Sequence, residues 1–328
     1  MAGVEAGLVG AVMGATSRLS VERASDFGCW LGRRLAPRMR KDRNVRGNLA
    51  VAFPDRDIGW IAATAIEIWG QIGRSLAEFA HLPRITGPEL HQRFELVNHV
   101  PPAELTGART GFVFAAPHQA NWNLHAVAGA LGGFPFSVVY AQQKNRALER
   151  LIARYRDRIP CDFIPVARTV RWMMAELNAG RHVGLFVDQR IDEGEMVPFF
   201  GHPAATTTIA ARIAAKLDSA VIPTRLERLS GVRFRLTLEE PIRPLAGLND
   251  PREAAFDMAT PLNARFEVWI RERPADWCCV KRRWPKEVTE FARLDAGLIA
   301  TLGDLHRSPT EPASSSLPNR ASSVHVES

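Results

Sequence analysis

Nowhere among its 328 residues does the chain hold the run of about 20 apolar residues that a membrane-spanning helix requires. Cysteine is scarce and scattered. Cys29, Cys161, Cys278 and Cys279 are the whole complement, too few for a disulfide scaffold and best suited to a reducing compartment. Tyrosine is rarer still, with two against 16 Phe and 8 Trp. Acidic residues are in the minority, 35 Asp+Glu against 42 Lys+Arg, for a net charge of +7. That balance asks for an acidic partner: nucleic acid, an anionic membrane face, or an acidic carrier or substrate. Several chemistries are missing as motifs. There is no Gly-x-Ser-x-Gly elbow and no Walker phosphate loop. No Cys/His set has zinc-ligand spacing, since His118 and His125 stand seven apart and Cys278-Cys279 are vicinal. Neither a metal nor a resident cofactor is therefore expected.

What is present is ordinary globular composition, 46% hydrophobic and 23% charged, which excludes wholesale disorder and rod-like folds. Near the start, Ala6 to Ala15 is a short run of small side chains containing Gly10-x-x-x-Gly14. Glu5 stands where a signal peptide would be basic. The run reads as a flexible start, a shallow membrane-contacting helix or, at the extreme, a span. From Arg33 to Arg46 seven basic residues meet one acid, Asp42, for a net +6. An amphipathic run with Leu19, Phe27, Trp30, Leu31 and Leu35 precedes them. An apolar, aromatic segment beside a basic cluster suits an anionic bilayer surface; a solvated charged face is the plain alternative. Nucleic acid is not expected, because no recognition motif accompanies the charge. Residues 265–286 carry a further net +4, so the rest of the chain is net −3 and the basic excess is concentrated. Residues 307–328, with seven Ser and three Pro, read as a disordered tail.

Between the ends, residues 59–80 carry apolar positions at helical spacing. Strands are predicted at 111–116, 136–140, 163–166, 183–187, 221–226 and 234–238. Helices are predicted at 121–131, 147–157, 170–177, 207–216 and 252–272. The alternation argues for an α/β sheet with helices on both faces. The sheet is expected to begin near residue 110, beneath a helical layer from the first hundred residues. The domain reading is an N-terminal membrane-contacting segment (1–45), an α/β domain (46–306) and the tail (307–328).

Ligands of open α/β sheets bind beyond the carboxyl ends of the strands. Two polar clusters fall there: Pro117-His118-Gln119-Ala120-Asn121-Trp122-Asn123 and Asp188-Gln189-Arg190. A histidine leaving a buried strand at the mouth of a helix is placed for general-base work, although a lone histidine is as a rule structural. An acid at a strand end, such as Asp188, can also simply cap a turn.

At these residues the chain resembles the bacterial lipid A biosynthesis acyltransferases of lauroyl/myristoyl type, a family that also includes phosphatidylinositol mannoside acyltransferases. The resemblance runs from about Asn44 to Trp284. It is carried by Asn48-Leu49-x-x-Ala52-Phe53-Pro54, Pro117-His118-x-x-Asn121-Trp122, Asp188-Gln189, Val197-Pro-Phe-Phe-Gly201 with Thr206, and Trp277 before Arg282-Arg283-Trp284. It implies a glycerol-3-phosphate-acyltransferase-like fold, with a central mixed sheet flanked by helices and a helical N-terminal extension. It also implies transfer of a fatty acyl chain from a thioester, on acyl carrier protein or coenzyme A, to a hydroxyl of a glycolipid. The acceptor would be a lipid A precursor or, alternatively, a phosphatidylinositol mannoside, at the cytoplasmic face of the inner membrane.

In that family a His-x4-Asp/Glu pair does the proton work. His118 matches the base, but the position of the acid holds Asn123, which carries no charge to stabilise an imidazolium. In a serine protease the equivalent Asp→Asn change costs about 10⁴ in rate. Three accounts stand. Asn123 suffices as an orienting residue, Asp188 takes over from a neighbouring strand end, or the protein is a catalytically impaired paralogue that binds glycolipid or scaffolds. The resemblance further assigns substrate contacts to Arg156, Asn121, Trp122, Gln189, Arg190, Phe199, Phe200 and Gly201. Arg156 would hold a phosphate, with a solvated helix face as its alternative. Pro160 replaces the family's glycine four residues later. Phe199, Phe200 and Gly201 would form a turn and an acyl-groove wall.

Overall fold

The computed structural model describes residues 7, 10–11, 13–107, 109–166, 169–245, 247–248, 250–289 and 292. The expected tail at 307–328 and part of the 6–15 run lie outside them.

Among the described residues, the long helices ahead of the sheet are α1 (Val21–Leu35), α2 (Asp42–Ala52) and α3 (Ile58–Glu78). Each long helix starts where an oxygen side chain satisfies a free backbone N–H. Ser20 accepts from Arg23 N at the head of α1, and Asp57 accepts from Trp60 N at the head of α3. The pair α1/α3 crosses with its backbones nearly touching. A Cβ built on Gly73 would sit 2.0 Å from Gly28 O, and one on Gly28 would sit 2.3 Å from Gly73 O. Only glycine fits at that crossing.

Among the described residues the sheet has seven strands: β1 (Phe94–Asn98), β2 (Val113–Ala116), β3 (Phe136–Tyr140), β4 (Asp162–Pro165), β5 (His182–Phe186), β8 (Val221–Ser230) and β9 (Arg233–Leu238). Their order is β1-β9-β8-β2-β5-β3-β4. All pairs are parallel except β8–β9. The mixed, helix-flanked sheet is the architecture that the alternating pattern and the resemblance implied. A separate antiparallel ribbon joins β6 (Arg190–Phe199) to β7 (His202–Thr206). Helices α4 (Arg146–Arg156), α5 (Thr169–Asn178), α6 (Ile209–Lys216) and α7 (Pro251–Glu272) complete the main elements.

The structure differs from expectation at three places. The sheet begins before residue 110, because Phe94–Asn98 adds to its edge in parallel with β9. Residues 190–206 form a ribbon that the pattern did not reveal. The predicted helix over 121–131 splits into a 3₁₀ turn, Trp122–Val127, and a short α-helix, Ala128–Gly132.

Two apolar cores lie on the two faces of the sheet. One packs α2, α3, α6 and α7 around Phe199, Trp277 and Trp284. The other packs Leu82, Ile85, Leu124, Phe134 and Phe234. Among the described residues no helix is long and apolar enough to cross a membrane.

Candidate active site

β2 and β5 are adjacent parallel strands, and their last paired residues are Ala116 and Phe186. Two residues further along each strand direction stand His118 and Asp188. His118 Nδ1 donates to Asp188 Oδ1 at 2.6 Å. The other carboxylate oxygen accepts from Trp277 Nε1 at 3.1 Å. Asp188 is only 2% exposed. Burial alone would raise its carboxyl pKa. The charge of His118 and the hydrogen bonds from His118 and Trp277 outweigh this and hold the carboxyl below its ordinary range. Asp188 therefore stays ionised and accepts the hydrogen bond from the proton on Nδ1, which makes Nε2 the accepting nitrogen of the ring. The Nε2 atom of Gln189 approaches that nitrogen at 3.3 Å.

His118 is also fixed through its backbone. Cys278 N donates to His118 O at 2.7 Å, Ala120 N donates to Asp276 O at 2.9 Å, and Ser75 Oγ donates to Ala120 O at 3.1 Å. The 276–283 segment that makes the first two contacts is itself clamped. Asn48 Nδ2 donates to Cys279 O and Lys281 O, both at 2.8 Å, and Asn48 Oδ1 accepts from Arg283 N. Arg283 is buried and reaches Ala205 O and Thr206 Oγ1. Burial lowers its pKa to about 10, against the pull of Asp188. Asn48, Thr206, Trp277, Arg283 and Trp284, distant in sequence, thus form one scaffold behind Asp188.

His118 lines a cavity of about 1790 Å³. Leu31, Leu35, Ile72, Leu148, Ile152 and Phe163 contribute to walls that are mainly apolar. The charged side chains among the described lining residues are Lys41, Arg156, Arg171 and Lys281; no carboxylate is among them. Arg156 stacks 3.7 Å over the Tyr140 ring and pairs with Glu149 at 3.3 Å. Cys278 also lines the cavity. Burial and the charge of Asp188 push its thiol up to about 12, so it is not a thiolate nucleophile near neutrality.

Of the residues singled out from the sequence, His118, Trp122, Asn123, Arg156 and Gln189 meet in this cavity. Asp188 stands directly behind His118. Asn123 Nδ2 donates to Asn121 Oδ1 at 3.1 Å, whereas the imidazole Nδ1 is taken by Asp188, so orientation of the ring falls to the carboxylate. Asn121 lies outside the described lining: it is fully buried and donates to Glu78. Arg190 lies outside the described lining and is within 2.8 Å of Asp192 on its own strand. Phe199, Phe200 and Gly201 also lie outside it. Phe199 is fully buried and stacks on Trp284. Phe200 stacks on Trp277, and Gly201 has φ +73 in the β6–β7 turn. Phe199 and Phe200 pack against Trp277, the tryptophan that donates to Asp188. The backbone N–H groups of Gln119 and Ala120 are spent on Pro117 O and Asp276 O and do not serve as oxyanion donors.

The sequence reading passed over Trp277 as a site residue, although its place in a quoted motif was a signal. It also passed over Phe186, whose ring lies 4.5 Å from the His118 ring. His125, edge-on to Phe186, is buried.

Residues 6–286 match the family model of bacterial lipid A biosynthesis acyltransferases. The chain is similar to a phosphatidylinositol mannoside acyltransferase of Mycobacterium tuberculosis, at 25% identity over 292 residues, covering 85% of this chain and 87% of that protein. The protein of that name from Mycolicibacterium smegmatis is 24% identical over 275 residues, covering 81% and 87%. The crystal structure of the 1-acyl-sn-glycerophosphate (LPA) acyltransferase PlsC from Thermotoga maritima aligns with a TM-score of 0.35 at 15% identity, over 72% of this chain and 99% of that one.

Proposed function

The chain belongs to the bacterial lipid A biosynthesis acyltransferase family, and within it we propose a membrane-associated enzyme that moves a fatty acyl chain from a thioester to a sugar-linked hydroxyl of an anionic glycolipid. The observation that carries this reading is the position of His118. An imidazole with a carboxylate on Nδ1 lines a mainly apolar cavity whose described charged lining residues are all cations. An acyl chain fits the walls, and a phosphate on either the donor or the acceptor fits the cations.

In the proposed reaction His118 Nε2 accepts the proton of the acceptor hydroxyl as its oxygen attacks the thioester carbonyl. Asp188 stabilises the imidazolium that forms. The new C–O bond gives a tetrahedral oxyanion. Gln189, whose amide already approaches Nε2, is positioned to donate to it. The C–S bond then breaks, and the leaving thiolate takes its proton from the imidazolium. The missing acid at position 123 does not leave the base unpaired, because Asp188 supplies the charge.

Lipid A precursors are the acceptor implied by the family's name. A phosphatidylinositol mannoside is the second reading, favoured by the names of the two mycobacterial relatives. The donor is acyl carrier protein or coenzyme A thioester. Membrane docking, at the cytoplasmic face of the inner membrane, is assigned to α1 and the turn after it. Trp30 and Leu35 are 55% and 56% exposed there, beside Arg33, Arg34 and Arg38. The test is transfer of a labelled acyl chain from acyl carrier protein or coenzyme A to each acceptor class. Wild type should acylate one of them and His118→Ala should not; equal rates would remove the catalytic role of His118.

A further inference from the structure

Glu78, the last residue of α3, is completely buried. A carboxylate so placed must be compensated, and four hydrogen bonds do this. Arg228 on β8 donates from Nη1 to Oε1 at 2.7 Å and from Nη2 to Oε2 at 3.0 Å. Ser25 Oγ donates to Oε1 at 2.6 Å, and Asn121 Nδ2 donates to Oε2 at 2.8 Å. Arg228 also donates from Nε to Gln71 Oε1 and from Nη1 to Gly231 O, and it lies over the Phe234 ring. One ion pair therefore joins α1, α3 and β8 to the loop that follows β2.

The member on that loop is Asn121, three residues after His118. Between them Ala120 has φ +48, a left-handed conformation that strains any residue with a Cβ. The turn persists because it is held from both sides: its backbone by Asp276 and Ser75, and its next side chain by Glu78. Stability alone does not call for an ion pair here, since an apolar pair of similar volume packs at least as well in many proteins.

We propose that Glu78 and Arg228 are positioning residues for the base: through Asn121 they hold the strained turn that keeps His118 Nδ1 on Asp188 and Nε2 toward the cavity. Neither is among the described residues that line the cavity. The proposal rests on the reading of His118 as the base.

Two variants test it. Asn121→Ala cuts the link and leaves the pair intact. Glu78→Leu with Arg228→Leu removes the charges and keeps the buried volume, which guards against simple unfolding. Both are compared with wild type by melting, by kcat and KM for palmitoyl-coenzyme A in acyl transfer, and by the rate at which diethyl pyrocarbonate modifies His118. The expected result is retained cooperative melting, an unchanged KM, a kcat at least tenfold lower and a several-fold change in His118 modification. Wild-type kcat and modification rate in either folded variant overturn the proposal, as does a loss that only tracks unfolding. Modification of His118 needs no turnover. If His118→Ala is as active as wild type, the base assignment fails, while the modification rate still reports whether the clamp positions the ring.

Discussion

His118 and Asp188 are 70 residues apart, and so are Val113 and Val183, Phe114 and Gly184, Ala115 and Leu185, and Ala116 and Phe186. The dyad prolongs the register of two parallel strands by one further pleat. Residues two apart on a strand point to the same face, so the side chains after Ala116 and Phe186 meet on one side of the sheet, where the 2.6 Å bond forms.

The charge on the imidazole's partner should therefore reside at position 188 and not at 123. Asp188→Asn is expected to lower kcat by about 10³- to 10⁴-fold with little change in KM, the cost of an amide in place of a triad carboxylate. Asn123→Asp should change kcat by a few-fold at most, because its side chain turns to Asn121. Steady-state acyl transfer by both variants decides the matter. The opposite ranking would make the family's usual position the working one.

His125 gives the fold an acid-sensitive point beside the site. Burial first, and the nearby charge of His118 second, lower its pKa to about 3, against the pull of Asp188. In the unfolded chain it takes up a proton near the ordinary histidine value of about 6.5. Below that pH the unfolded state binds more protons than the folded one, so stability falls with acidification until about pH 3. The slope from this group is about 1.4 kcal/mol per pH unit, or about 2 kcal/mol between pH 7 and pH 5. His125→Leu should remove that contribution and lose correspondingly less stability over the interval, measured by urea unfolding at the two pH values. An identical loss in variant and wild type would mean that His125 is not the sensor.

The strands that build the dyad were legible because they are short, wholly apolar and followed by polar clusters; Val113–Ala116 is buried at every position. The ribbon was not. Arg190–Phe199 contains Asp192, Glu193, Gly194, Glu195 and Pro198 and shifts register between Arg190 and Glu195, so neither alternation nor an apolar run marks it. β1 is a five-residue edge strand whose middle is half-exposed. Of the site, the paired His118 and Asp188 could be read from strand ends. Asn121, Phe199 and Phe200 fall outside the described lining of the cavity, which a sequence motif does not show, because it does not say whether a residue faces a ligand or supports one that does. Glu78 gave no signal at all: at the end of an amphipathic helix a glutamate reads as solvated, and only tertiary contact with Arg228 and Asn121 shows otherwise.

The cations of the cavity yield a prediction about the donor. Lys41, Arg171 and Lys281 are exposed at its lining, in contrast to Arg156, which is already paired with Glu149. If the three receive the phosphates of a coenzyme A thioester, each change to Gln should raise KM for palmitoyl-coenzyme A roughly two- to fivefold, with kcat held. The triple variant should combine the effects. Raising salt should weaken binding to wild type and leave the triple variant nearly indifferent, since exposed charges are screened over about 10 Å at 0.1 M ionic strength. Acyl carrier protein places its acidic surface outside the cavity, so with that donor the KM should respond instead to Arg33, Arg34 and Arg38 at the end of α1 and the turn after it. Measuring KM for both donors across the two variant sets separates them. A triple variant with unchanged KM for palmitoyl-coenzyme A would remove these cations from substrate binding.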